Sequence, residues 1–526
     1  MKNKIAIVLI YLIFPVILFA QTNDYNLSNV ISFDGEPSIA INPTNSDNII
    51  SGWMRLRLDG RMWIAARSSF DGGATWSTHE FMPHVDTAYS SADVSITFHN
   101  SGIAYLSYVD IDWSDTTATV FVSKSLNGGL SWETPVPVFL SSEIPEKPFD
   151  RPWIAVDNSG GVNDGAIYVT TMSVYFDTLN PHHVYLKTST DGGNSWSNII
   201  QVDDNLHSVG SLEVSWGTVS VGGDGKAYIG YYSYDTNISP FLCSYVAITE
   251  NLGTSFNYSL VSNIYLTANV SYNNGYVLSA DPSNNNRVMM AWIDDRFGEA
   301  DVVQSLSIDG GITWSSPERI NDDVVGNGVI QDRVWAKYAS DGTLVLAWRD
   351  RRLNGAGTSV PADIYLAYSN DGGNSYGLNY LMSSSSAPHT ALPCCNSFLD
   401  VSSNNNSAFV VWGEDRSSDW EVYINSTPLT YVGINTETQI NIVEMKVFPN
   451  PAINTIHINF QLDIDQKVTL EIFDTSGKHL DALLNEQLEA GEHSINTDNF
   501  KLTQGTYILK LTGKEFISQK LLVITN

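Results

Sequence analysis

The chain has 526 residues, with Lys+Arg 27 against Asp+Glu 57, a formal charge of −30 and a pI near 4.4. That balance excludes nucleic acid as a partner, because phosphates need a basic footprint. Three cysteines (Cys243, Cys394 and Cys395) exclude a disulfide scaffold, leaving only the adjacent pair as a candidate vicinal disulfide against free thiols.

The N-terminus has the pattern of a signal peptide over residues 1–20. Lys2 and Lys4 precede an apolar run from Ile5 to Phe19, and Ala20 stands before Gln21. No cysteine follows the expected cut to carry a lipid anchor, and no later run is long and apolar enough to span a bilayer. An exported protein, secreted or held at the cell surface, is expected.

Residues 24–430 are built on a phrase that returns about every sixty residues, which marks a repeat architecture. It begins as Ser69-Phe70-Asp71-Gly72-Gly73-Ala74-Thr75-Trp76 and recurs at Ser125, Ser189, Thr249, Ser307 and Ser369. Asp-Gly-Gly is hairpin-turn chemistry: glycine accepts positive φ, and the aspartate bonds its own following amides. The closing Trp, Phe or Tyr is expected to pack back over the turn. The phrase resembles the Asp-box (Ser-x-Asp-x-Gly-x-Thr-Trp) of sialidases and related β-propellers. In that family the boxes are structural turns away from the active site, so Asp71 and its equivalents are read as turn-formers.

An inner strand leads each repeat: Pro37–Ile41, Val94–Phe98, Pro152–Val156, Gly217–Val221, Tyr276–Ala280, Val334–Tyr338 and Ser397–Val401. Four short strands per repeat make a propeller blade. Seven inner strands predict an all-β, seven-bladed β-propeller; six boxes leave six blades as the alternative. The outer strand missing from the last blade is expected from Asn26 to Phe33, joining the two ends and removing exposed edges.

After a linker at 431–445, residues 446–526 read as a small β-sandwich of alternating runs parted by turns. They open on Phe448-Pro449-Asn450-Pro451, carry Asp474-Thr475-Ser476-Gly477-Lys478, and reach Gly505-Thr506-Tyr507. These motifs resemble the type A C-terminal sorting domain of the type IX secretion system of Bacteroidota. The resemblance implies that the secretion machinery is a partner and that the chain crosses the outer membrane. A carbohydrate-binding sandwich is the rival reading.

The first residues of a propeller's inner strands converge on the channel mouth. Aligning the repeats places Glu36, Asp93, Arg151, Trp216, Gly275, Arg333 and Asn396 at that position, with Asp150 and Asp332 one residue earlier. Unlike groups at one repeat position within a constant frame are what a grafted site looks like. Glu36, Asp93 and Asp150 are the candidate acid/base residues. Arg151 and Arg333 are candidates to grip a carboxylate or sulfate, with Trp216 and Asp332 beside them. The structural alternative is that Arg151–Asp93 and Arg333–Glu36 are ion pairs that only rigidify the ring. Second strands end in Trp292-Ile293-Asp294-Asp295-Arg296, Trp348-Arg349-Asp350-Arg351 and Trp412-Gly413-Glu414-Asp415-Arg416. There an Asp–Arg pair is expected to pin the loop, with a binding role for Arg296, Arg351 or Arg416 as the other reading.

His182, His183 and His389 lack metal-ligand spacing, so neither a metal nor a cofactor is expected. Retaining sialidases grip the sialic carboxylate with three arginines, the first in a Phe/Tyr-Arg-Ile-Pro motif. Arg55 and Arg57 lie instead in Trp53-Met54-Arg55-Leu56-Arg57, and the family's catalytic residues find no match by motif. Three functions follow: an exported propeller binding glycans or other extracellular polymers at its channel mouth, a divergent sialidase-like glycoside hydrolase, and a surface adhesion or scaffold propeller.

Overall fold

The computed structural model describes residues 24–429 and 445–525, except 30–32, 86–88, 113, 115–116, 145–147, 174–181, 204–215, 235–241, 266–274, 358, 388–398, 417–418, 454, 463, 475–478, 499–501 and 514–516. The expected signal peptide, nearly all of the linker, His389, Cys394, Cys395 and Asn396 lie outside the described residues. The chain is all-β and divides into two compact units, 1–429 and 430–526. No helix among the described residues is long and apolar enough to cross a membrane.

The first unit contains seven four-stranded antiparallel sheets among its described residues. The first sheet shows the pattern: Asp34–Ile41, Ile49–Leu56, Met62–Ser69 and Glu80–Phe81 pair in chain order. The first strands of the next six are Ser90–Phe98, Phe149–Val156, Thr218–Val221, Tyr276–Ala280, Gln331–Tyr338 and Leu399–Ser403. Each first strand contacts the first strand of the following sheet, and Leu399–Ser403 contacts Asp34–Ile41. In the last sheet the outer strand comes from the N-terminus, as expected, but only Tyr25–Asn26 pairs, against Tyr423 and Ile424. Leu27 adds one further backbone bond to Val422, and residues 30–32 of the expected strand lie outside the described residues.

Second and third strands are buried on both faces. Val288–Asp294, Leu344–Asp350 and Leu242–Thr249 are buried throughout, so their sequences run apolar rather than alternating. Apolar clusters accordingly join neighbouring sheets. Ile39, Ile49 and Trp53 of the first pack with Phe409, Val411 and Val422 of the last. Each fully buried Leu, Ile, Val or Met stabilises by roughly 1.5–3 kcal/mol.

The repeated phrase is a turn closed by its own side chains. Ser69 Oγ donates to Asp71 Oδ1 (2.8 Å), and Asp71 accepts from the Thr75 amide (2.8 Å) and hydroxyl (2.5 Å). The same bonds hold Asp309 with Thr313 and Asp371 with Ser375. Asn127 and Asn251 make the amide versions with Ser131 and Ser255. The hydroxyl and amide donors of Ser195 hold Asp191 ionised down to about 2. These carboxylates close the turns.

The second unit stacks a three-stranded sheet (Lys446–Phe448, Thr455–Leu462, Gly491–Asp498) and a four-stranded sheet around one core. Along Thr455–Leu462 every second residue is buried, as a strand with one wet face requires. Asn450 ties the opening motif to the last strand. Its amide donates to the Leu521 carbonyl (2.7 Å) and its carbonyl accepts from the Val523 amide (2.8 Å).

The turn glycines supply a stability test. Gly129 has φ +91°, and a Cβ there would lie 2.3 Å from Ser68 Oγ and 2.7 Å from Ile50 Cδ1. Gly60 has φ +78° with nothing within 4 Å. Urea unfolding of Gly60→Ala should show a loss of about 1 kcal/mol from backbone strain alone. Gly129→Ala should lose a further ~1–3 kcal/mol from overpacking; equal losses would refute the inter-sheet contact.

Candidate functional site

The inner strands of four sheets begin with the same irregularity. Pairing with the second strand slips between Gly35 and Ser38, Ala92 and Ser95, Asp150 and Trp153, and Asp332 and Trp335. At each slip a non-glycine residue has positive φ: Glu36 (52°), Asp93 (53°), Arg151 (49°) and Arg333 (57°). Gly275 occupies the equivalent place in the fifth sheet at φ 96°. A bulge re-aims one side chain, and the left-handed backbone costs about 1–2 kcal/mol for each residue with a Cβ.

Glu36, Asp93 and Asp150 come together. Asp93 is hydrogen-bonded through its side chain to both Glu36 and Asp150, with Arg151 close enough to act on all three. Burial, then the neighbouring Asp93, pushes Glu36 and Asp150 well above the ordinary carboxylate range. Burial acts on Asp93 in the same direction but is outweighed by the bonds from Asp150 and Glu36 and by Arg151. Asp93 therefore stays ionised below its usual range. The trio titrates as one coupled network in which Asp93 is the member most favoured as carboxylate.

Arg151 has its guanidinium 4.8 Å from the Trp216 ring centroid, and its amide approaches Asp93 Oδ2 at 3.4 Å. Trp216 is fully buried and stacked on Tyr276 (4.6 Å, 6°), so it supports Arg151 from beneath and carries no exposed face in this conformation. Burial, then repulsion from Arg349, pulls Arg333 down to about 9; it remains a cation at neutral pH. Asp332 is held elsewhere. It accepts a fork from Arg349 (2.6 and 2.7 Å) and a third bond from Arg351 (3.0 Å). Burial opposes its ionisation, but Arg349 and Arg351 outweigh it and keep Asp332 far below the carboxylate range.

The cavity among Glu36, Asp93, Arg151, Trp153, Leu399 and Asp400 measures about 20 Å³. That is room for about one water. Asp93, Asp150 and Arg333 remain partly exposed. Beneath the ring, Trp153 and Trp335 stack with centroids 4.6 Å apart. Sequence reading placed both on inner strands without seeing that strands of the third and sixth sheets meet across the axis.

The second-strand motifs are pinned as expected, with one correction. Trp292 Nε1 donates to Asp294 (2.9 Å), which also receives a two-pronged grip from Arg296 (2.8 and 2.8 Å). In the sixth sheet the equivalent arginine is Arg352, not Arg351: Trp348 and Arg352 both donate to Asp350 (2.9 and 2.8 Å), while Arg351 turns to Asp332. Arg416 pairs with Glu414 and with Asp24 (2.8 Å). In the first sheet the acid comes from the inner strand instead, Asp34 accepting from Trp53 and Arg55. His182 and His183 bond Ser173 and Asp203, and no metal-holding group exists among the described residues.

Asp332→Asn should cost about 3–5 kcal/mol in chemical denaturation, since Arg349 and Arg351 would be left as uncompensated buried charges; a cost under 1 kcal/mol would remove that pair from the fold's support. Glu36 supplies a pH test. Its raised folded pKa makes the folded state hold a proton that the unfolded chain releases above about pH 4.3, so its contribution falls as pH rises. Glu36→Gln should match the parent below about pH 4 and exceed it in stability at higher pH, the gap widening by up to about 1.4 kcal/mol per unit until Glu36 titrates. A pH-independent gap would contradict the shared-proton arrangement.

No curated protein matches this chain. Solved structures similar to it include the Hadza microbial sialidase Hz136 (13% identity, TM-score 0.43, 70% of this chain and 74% of that one). The NanB sialidase from Streptococcus pneumoniae aligns at 14% identity and TM-score 0.39 (78% and 70%). The GH93 α-L-arabinofuranosidase of Fusarium graminearum aligns at 11% identity and TM-score 0.42 (77% and 98%). At these values the likeness assigns no activity. Residues 446–525 match the secretion system C-terminal sorting domain, and the chain is accordingly a type IX export substrate bound for the cell surface or the medium.

Proposed function

We propose that the first unit is a seven-bladed β-propeller that binds an acidic extracellular glycan or polymer at its channel mouth, without chemistry. The observation that carries this reading is the left-handed backbone kept at Glu36, Asp93, Arg151 and Arg333. Gly275 occupies the same place without that strain, so these side chains persist at a cost, which is characteristic of sites rather than frames. Charge supports the ligand class. Arg151 acts on Asp93, and Arg333, Arg349 and Arg351 act on Asp332, so four guanidiniums answer two ionised carboxylates. The mouth is therefore locally cationic on a chain of net charge −30.

A hydrolase reading draws support from Glu36, whose pKa is pushed up, beside Asp93, whose pKa is held down. Spacing opposes it. Retaining and inverting glycosidases separate their carboxyls by roughly 5–5.5 Å and 6.5–9.5 Å, whereas carboxyls in direct hydrogen bond leave no gap for a sugar carbon or a water. The adhesion reading has no comparable observation behind it.

The test is a glycan array probed with the full chain. Retention of carboxylated or sulfated glycans, lost at least about tenfold in Arg151→Met or Arg333→Met, is expected. Neutral glycans bound as well as acidic ones would sink the reading. Release of a fluorogenic glycoside abolished by Glu36→Gln would replace it with the hydrolase.

A further inference from the structure

A second cavity opens at the opposite end of the inner strands. It measures about 580 Å³, within the roughly 300–1,000 Å³ usual for small-molecule pockets. Its lining includes Asn42, Thr97, Asn158, Lys337, Ser403 and Asn406, and Lys337 is the one charged side chain among the described lining residues. Side chains two apart on a strand share a face, so Trp335 and Lys337 line the axis in successive layers about 7 Å apart. The stacked Trp153 and Trp335 therefore stand between this funnel and the charged ring.

Lys337 forms no ion pair or hydrogen bond within bonding distance among the described residues. Lys337 acts electrostatically on Asp400, whose carboxylate already accepts from Ser38 Oγ (3.0 Å) and the Ile39 amide (2.9 Å) and lines the mouth cavity. A carboxylate-free pocket with an ammonium at its floor is unexpected in a chain carrying 57 acids. Salt near 0.1 M screens the distant acids beyond about 10 Å, while a group touching Lys337 feels its full charge.

We infer that this funnel is a second binding pocket, distinct from the channel mouth, for a small hydroxylated ligand bearing one oxyanion. The hydroxyls and amides of the wall suit a polyol, and Lys337 serves as a point charge for a carboxylate or sulfate.

The experiment titrates the full chain with glucuronic acid, glucose 6-sulfate, glucose and inorganic sulfate, read by calorimetry and ligand-observed NMR. Saturable binding of one or both acidic sugars is expected, at least about tenfold tighter than glucose or free sulfate; which acidic sugar binds identifies the oxyanion. Lys337→Met should weaken it at least about tenfold with an unchanged melting temperature, and Lys337→Arg should retain it. Arg151→Met, which disables the mouth, should leave it unchanged. The inference is overturned if neither acidic sugar binds, if glucose or sulfate binds equally, or if loss follows Arg151→Met rather than Lys337→Met.

Discussion

Burial on both faces is the constraint from which the first unit's architecture follows. Strands such as Leu242–Thr249 and Leu344–Asp350 have no wet side, so each sheet must be covered by its two neighbours. The last sheet meets the first through Phe409, Val411, Ile39 and Trp53. A short N-terminal strand beside Ile424 completes the last sheet, where an exposed edge would otherwise invite pairing with another chain. Asp24 strengthens that junction through Arg416 and Asn425.

Such packing leaves little latitude for polar groups, and the carboxylates near the ends of the second strands are answered by nearby donors. Indole and guanidinium donors converge on one carboxylate in the first, fifth and sixth sheets: Asp34, Asp294 and Asp350. These repeated anchors fix where second strands end. Against that regular background the ring of Glu36, Asp93, Arg151 and Arg333 stands out by its variation and by its backbone. Asp93 is favoured as an anion because bonds from Asp150 and Glu36 and the charge of Arg151 outweigh its desolvation. The site is thus a proton-sharing network first, and whatever it grips must work with the charge left over.

How far the sequence could be read depended on the range of the interaction. The Asp-Gly-Gly turns were legible because all their bonds, such as Ser69 to Asp71 and Asp71 to Thr75, close within five residues. The ring positions were legible because repeats could be aligned, and the bulges and φ values single out Glu36, Asp93, Arg151 and Arg333 together. The destination of Asp332 was not legible: Arg349 and Arg351 compete for it from another strand, and only packing decides. The same holds for Arg352, one residue beyond the arginine that the motif suggested.

Sequence by itself determined the all-β character, the turn chemistry, the inner strands and the sorting tail at 446–525, since each rests on local periodicity or a contiguous motif. Tertiary structure alone decided that Trp153 and Trp335 meet, that Trp216 lies buried beneath Arg151, and that Lys337 floors a separate pocket. Those facts join residues distant along the chain, and no local pattern encodes which side chains will share the axis once neighbouring sheets have covered one another.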